Sequence, residues 1–355
     1  MIYLDYQAST PLAPEARAAM LPWLDLAGSA NPHSPHAPGR AAAAAVEVAR
    51  DQVAALLPAG GRVVFTSGAT EALNLAIQGC KAERIAVSAI EHAAVLDTAR
   101  AVATVQELPV DSAGLLDPDV AIASGTGLVA VMQVNNEIGT VQPVAALAER
   151  AHAIGALFLC DAVQGGGKLA APVGADLIAL SAHKLNGPKG IGALWVRDGV
   201  TLAPLIHGGG QEQGLRSGTL SPALCAGFGA AASVALAQRE ADTAHVDALW
   251  LAARAALPGW ILNGSETARW KGNLNLRLEG LDVARLISDC RRIAFSAGSA
   301  CASGSGRPSH VLRALGLSDA QAKSSIRLGF GRYTTRDELI EACQIIDTAA
   351  RAQDM

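Results

Sequence analysis

Aromatic side chains are scarce in this sequence: Phe, Trp and Tyr make up 4% of the residues, although hydrophobic residues make up 50%. Ala, Val, Leu and Ile must fill the interior, so packing rests on aliphatic shape and not on stacked rings. A dominant charge sign is also missing. The formal net charge is −4, from 28 basic and 32 acidic residues. No basic stripe is visible, which argues against a nucleic-acid partner. Polar or Gly residues interrupt every apolar stretch before it reaches bilayer-spanning length, so no membrane segment is expected. Met1-Ile2-Tyr3-Leu4-Asp5 lacks a basic region followed by an apolar one. No signal peptide is expected, and a cytoplasmic protein is. No two cysteines have CxxC spacing, which excludes the common zinc and dithiol motifs and leaves no metal expected.

What is present is a chain of 355 residues, a length that suits two domains sharing one site. Its 36 glycines fall largely in short clusters between apolar runs, which predicts tight turns. Residues 62–66, 85–87, 128–134, 156–160, 177–180 and 193–196 read as buried strands. Helical patterns at 71–77, 93–102 and 144–154 lie between them, and 40–57 is a further amphipathic helix. Apolar strands alternating with helices predict an α/β domain around a mainly parallel sheet. A long helical stretch over 222–257 leads to 272–278, where alternation predicts a half-exposed strand. The expected organisation is a large domain over 11–240 and a smaller α+β domain over 241–355, joined by residues 1–10. Cys80, Cys160 and Cys225 lie in apolar or Gly-rich surroundings and read as small buried hydrophobes.

In such sheets ligands sit at the carboxyl ends of the strands, and there the unusual polar residues collect. Ser67-Gly68-Ala69-Thr70-Glu71 is a small turn opening a helix, suited to a phosphate; alone it better fits an ordinary capped helix start. Asp161 emerges at a strand end, where a carboxylate can pair with a protonated ring nitrogen; alone it equally fits a turn or cap. Ser181-Ala182-His183-Lys184 places a lysine at the end of a buried strand beside a histidine. Desolvation and a neighbouring cation favour the neutral amine, which can form a Schiff base.

Taken together these segments resemble the cysteine desulfurases of the NifS/IscS type, pyridoxal-phosphate (PLP) enzymes of the class V aminotransferase group with the fold-type I architecture. The resemblance runs the length of the chain. It is carried by Tyr3-Leu4-Asp5-Tyr6, Asn31-Pro32-His33-Ser34, Thr66 to Glu71, Glu91-His92, and Asn135-Asn136-Glu137-Ile138-Gly139-Thr140. Asp161-Ala162-Val163-Gln164, Ser181 to Lys184, His207-Gly208-Gly209-Gly210-Gln211-Glu212, Arg216-Ser217-Gly218-Thr219 and Gly298-Ser299-Ala300-Cys301 continue it. It implies that Lys184 holds PLP and moves the Cα proton. Asp161 would pair with the ring nitrogen, and Gln164 with the ring hydroxyl, Asn136 being nearby. His92 would stack on the ring and handle protons. Ala69, Thr70, Ser181 and His183 would hold the phosphate, with Thr219 supplied across a homodimer interface. Asn31 and Arg327 would clamp the carboxylate of the substrate, L-cysteine; alone, Arg327 reads as a surface ion-pair residue.

Cys301 lies among Gly, Ser and Ala, which suggests an accessible thiol and not a core cysteine. The resemblance makes it the sulfur acceptor, with alanine as the other product. It also implies a further sulfur-acceptor or scaffold protein, serving iron–sulfur clusters or thiolated products, whose identity it leaves open. Another class V enzyme, such as a selenocysteine lyase, kynureninase or aminotransferase, would keep Lys184 and Asp161 but would not need Cys301. A non-catalytic accessory subunit is the remaining reading, which the presence of Lys184 and Cys301 disfavours.

Overall fold

The apolar runs between residues 61 and 197 fold as one seven-stranded sheet. The structure is a computed structural model that describes residues 1–25, 28–298 and 308–353. Its strands are β1 (Ile2–Tyr3), β2 (Gly61–Thr66), β3 (Arg84–Ser88), β4 (Thr104–Leu108), β5 (Leu128–Met132), β6 (Leu157–Asp161), β7 (Leu177–Ser181) and β8 (Gly192–Arg197). Beyond these come β9 (Ile261–Leu262), β10 (Asn273–Arg277), β11 (Ile293–Ala294), β12 (Ser296–Ala297) and β13 (Ser325–Gly329). The helices are α1 (Pro14–Met20), α2 (Ala37–Ala54), α3 (Ala69–Gly79), α4 (Ala93–Val102), α5 (Val144–Ala153) and α6 (Pro222–Ala256). They continue with α7 (Val283–Asp289), α8 (His310–Ala314), α9 (Asp319–Lys323) and α10 (Arg336–Arg351).

The sheet order is β2-β8-β7-β6-β5-β3-β4. Only β8 runs against its neighbours, β2 and β7; every other pair is parallel. Alternate residues of each strand face opposite layers. Val63 and Phe65 of β2 and Phe158 and Cys160 of β6 pack against α2, α5 and α6. Val64 and Leu159 point the other way, toward α3 and α4. Both faces are thus covered, as a mostly parallel sheet requires.

A second core gathers Val246, Leu249, Trp250 and Ala253 of α6 with Leu274 and Leu276 of β10, Ile326 and Leu328 of β13, and α10. Its sheet, β12-β13-β10-β9, is antiparallel. No helix among the described residues is long and apolar enough to cross a membrane.

Three local expectations are corrected. The strand at 272–278 is not half-exposed: β10 is buried along Asn273–Leu276. Its asparagines face protein and not water, Asn273 Nδ2 donating to the Asn136 carbonyl (3.1 Å) and Asn275 Nδ2 to that of Glu137 (3.0 Å). The helix expected from residue 40 starts at Ala37, because proline is tolerated in a first turn and His36 accepts a hydrogen bond from the Gly39 N–H. β4 was not anticipated; it is a polar edge strand with no apolar run.

Candidate active site

Because β8 is reversed, its amino end meets the carboxyl ends of β2, β3, β5, β6 and β7 at one edge of the sheet. A cavity of about 610 Å³ opens there. Successive crossovers also change direction at this edge. β3 leads outward to β4, whereas β5 leads the other way through β6 and β7. A crevice forms where the chain parts in this manner.

Lys184 ends the single 3₁₀ turn that follows β7. Its Nζ donates to the carbonyls of Gln7 and Ala8, the latter at 2.8 Å. The segment carrying these carbonyls is itself anchored. Gln7 Nε2 donates to the Gly272 carbonyl (2.8 Å), and Gln164 Nε2 donates to the Gln7 carbonyl (3.0 Å). His183 places Nδ1 3.3 Å from Ser9 Oγ. Burial, then Lys184, Lys189 and Lys168, push its imidazole down to about 4. Burial and Lys184 also bring the Lys168 amine down to about 7. His183 and Lys168, near Lys184, are thus both shifted toward their neutral forms.

Asp161 is the last residue of β6 and is 6% exposed. Burial raises its carboxyl above the ordinary range. The Val163 N–H, donating to Oδ1 at 2.9 Å, opposes this, as do the charges of His92 and Lys184. His92 is the N-cap of α4, its Nδ1 accepting the Ala94 N–H at 3.1 Å. That bond fixes the imidazole on the cavity wall.

Gly68 is the N-cap of α3, and no side chain caps the first turn. Its backbone N–H groups therefore face the cavity beside Ala69 and Thr70. Ser67 N–H and Arg216 both donate to Glu71, each at 2.7 Å, which holds the turn from behind. Gly192 of β8 lets this turn lie close: a Cβ there would meet Gly68 C at 2.6 Å.

Arg327 is 1% exposed and lines the same cavity. It is not a surface ion-pair residue. Its Nη2 lies 2.8 Å from Asp5 Oδ1, its Nη1 donates to the Asn136 carbonyl (3.1 Å), and its Nε has no partner.

The structure therefore brings Ala69, Thr70, His92, Asn136, Asp161, Gln164, Ser181, His183, Lys184 and Arg327 to one cavity. It does not bring Asn31 or Thr219 there. Both are exposed. Asn31 Oδ1 accepts the His33 N–H at 2.9 Å, and its neighbours Pro32 and His33 line a separate cavity of about 320 Å³. Cys301 lies outside the described residues. Gln7 and Lys168 were missed by the sequence reading, and Glu91 was quoted beside His92 without a role. Glu91 had a signal, its place beside His92, and Lys168 had the triple glycine before it; Gln7 had none.

An amine, a buried carboxylate and an uncapped helix start thus meet at one edge of an α/β sheet. The chain belongs to the aminotransferase class V family, whose model matches residues 2–341; enzymes of that family are PLP-dependent. It is 43% identical to the cysteine desulfurase IscS of Rickettsia bellii (strain OSU 85-389), over 97% of this chain and 90% of that one. A solved NifS-like protein from Rickettsia africae ESF-5 superposes with a TM-score of 0.88 at 29% identity, covering 98% and 99% of the two chains. SspA in complex with cysteine superposes with a TM-score of 0.83 at 35% identity, covering 94% and 100%.

Proposed function

We propose that this chain is a cytoplasmic cysteine desulfurase that moves the sulfur of L-cysteine to its own Cys301, leaves L-alanine, and hands the sulfur to a further acceptor protein. The observation that carries the reading is Lys184 and Arg327 on the walls of one cavity. The first is an amine able to move a proton, and the second is a guanidinium suited to an amino-acid carboxylate.

PLP fits the residues present. Gln164 Oε1 is buried without a partner, the first turn of α3 is uncapped, and Asp161 is enclosed and acceptor-rich. Asp161 would take the ring nitrogen, Gln164 the ring hydroxyl and Ala69, Thr70, Ser181 and His183 the phosphate. When bound, PLP withdraws electrons from the Cα of an attached amino acid.

The chain's own residues do the rest. Arg327 orients the substrate carboxylate. Lys184 takes the Cα proton, and the carbonyls of Gln7 and Ala8 accept hydrogen bonds from its Nζ. The Cys301 thiolate attacks the substrate sulfur. The new S–S bond forms as the Cβ–S bond breaks and the electron pair stays on carbon; one proton completes the methyl group and Lys184 returns the other to Cα, which gives alanine. The other cysteines are poorly suited to that attack. Burial pushes Cys160 well up and Cys225 and Cys343 to about 12, and raises Cys80 and Cys290. Their thiols stay protonated near neutral pH.

The separate cores support a division into one domain over 11–240 and another built from 241–355 with 1–10. The activity is tested by incubating the protein with L-cysteine and measuring alanine and persulfide together. Cys301→Ala should still change its visible absorption on adding L-cysteine, yet lose turnover by about a thousandfold or more. Alanine formed at the parent rate, or persulfide mapped to Cys290 or Cys343, would defeat the mechanism. A parent protein that makes no alanine would defeat the activity.

A further inference from the structure

Glu91 is a carboxylic acid with no exposed surface, one residue before His92, and the mechanism above does not use it. Its position follows from the sheet. β3 and β5 pair only through Ile85↔Leu128, Ala86↔Val129 and Val87↔Ala130. Beyond that point β3 turns away toward α4, while β5 continues to Met132 and pairs there with Asp161 of β6. The Met132 N–H is left without a strand neighbour. Buried backbone donors do not go unpaired, and Glu91 supplies the acceptor: Oε1 takes the Met132 N–H at 2.7 Å.

We infer that Glu91 is a positioning residue for the site: its carboxyl replaces the missing strand partner of Met132 and so fixes, across the crevice, the backbones that carry His92 and Asp161. This rests on the catalytic reading of the cavity. The turn is held from other sides too. His310 Nε2 lies 2.9 Å from the Glu91 carbonyl, and Asn135 Nδ2 donates to the Ile90 carbonyl at 2.8 Å. The backbone of the turn that carries the carboxyl is thus held from two further sides.

The groups around it decide its charge. Burial holds the carboxyl well above the ordinary carboxylate range and Asp161 adds to this; the Met132 N–H and Ser88 act in the opposite sense without reversing it. Cys160, on the strand beside, is held as a neutral thiol. Burial and the neighbouring Asp161 thus both favour the protonated form of Glu91. A second carboxylate so close would repel the first.

Neutrality makes the role testable, because glutamine keeps the acceptor oxygen and the shape without the acid. Infrared spectra of the cofactor-free protein, parent minus Glu91→Gln, should show the carbonyl stretch of an un-ionised carboxylic acid at pH 8. In the PLP-loaded enzyme Glu91→Gln should keep kcat within about threefold, since the bond to Met132 survives. Glu91→Ala, which leaves that N–H unpaired, should lower kcat by roughly ten- to a hundredfold through misplacement, with KM nearly unchanged. A missing acid band would overturn the proposal. So would a glutamine variant as damaged as the alanine variant, or an alanine variant with the parent's kcat. If the parent enzyme itself makes no alanine, the desulfurase reading fails, and the infrared difference still reports on Glu91.

Discussion

His183 shows how burial sets the behaviour of one side chain. Its imidazole is held down to about 4, whereas an unfolded histidine titrates near 6.5. As pH falls from 6.5 toward 4 the unfolded chain takes up the proton first, so stability is present above 6.5 and declines through that window. In cofactor-free protein, urea midpoints at pH 7 and pH 4.5 should differ less in His183→Gln than in the parent. Converted to unfolding free energy, that change should be about 1 kcal/mol smaller in the variant, given the side chain's partial access to solvent. Equal pH dependence in the two proteins would refute this. At this scale the sequence was legible wherever chemistry and strand ends coincide. Lys184 and Asp161 each follow an apolar run, and the run says which end faces the cavity. Arg327 was legible as a carboxylate clamp only through resemblance. Its ion-pair partner, Asp5, lies far away in the chain. Lys168 and Gln7 were not legible, because nothing local marks a residue whose importance comes from what the fold lays across it.

At the scale of elements, the turn before α3 depends on β8. A methyl group at Gly192 would meet Gly68 C at 2.6 Å, Gly68 Cα at 2.7 Å and the Leu180 carbonyl at 2.7 Å. All three are backbone atoms, so no side chain can rotate out of the way. Gly192→Ala should push the turn away and cost about 1–3 kcal/mol of stability. Titration of the apoprotein with PLP should show affinity falling about tenfold or more, since the uncapped N–H groups move with the turn. An alanine variant that binds PLP like the parent would show that the turn is not the phosphate anchor. The strands of the large sheet were readable because both faces are covered and their sequences are almost purely apolar. β10 was misread for a physical reason. Alternating Asn and Leu has the pattern of a wetted face, but here the polar side is satisfied by the backbone of residues 136–137.

For the whole molecule, the position of Thr219 matters most. It is exposed and absent from its own chain's cavity, and Leu12, Leu21 and Leu24 are exposed apolar residues of the same chain. The expectation is a homodimer in which Thr219 serves the partner's site. Sedimentation should give twice the mass of the 36.2 kDa chain, and Thr219→Ala should weaken PLP binding by about tenfold. A monomer with full affinity and turnover would contradict this. The segment at residues 2–9 has a different consequence. β1 pairs with β11, Asp5 holds Arg327, and the carbonyls of Gln7 and Ala8 receive Lys184. During synthesis this segment leaves the ribosome long before residues 293–329, which it must meet. The large sheet can form early, but the segment that docks its lysine has no anchor of its own until residues 293–329 are made. A product that stops before residue 293 would carry a formed sheet whose residues 2–5 lack their partners.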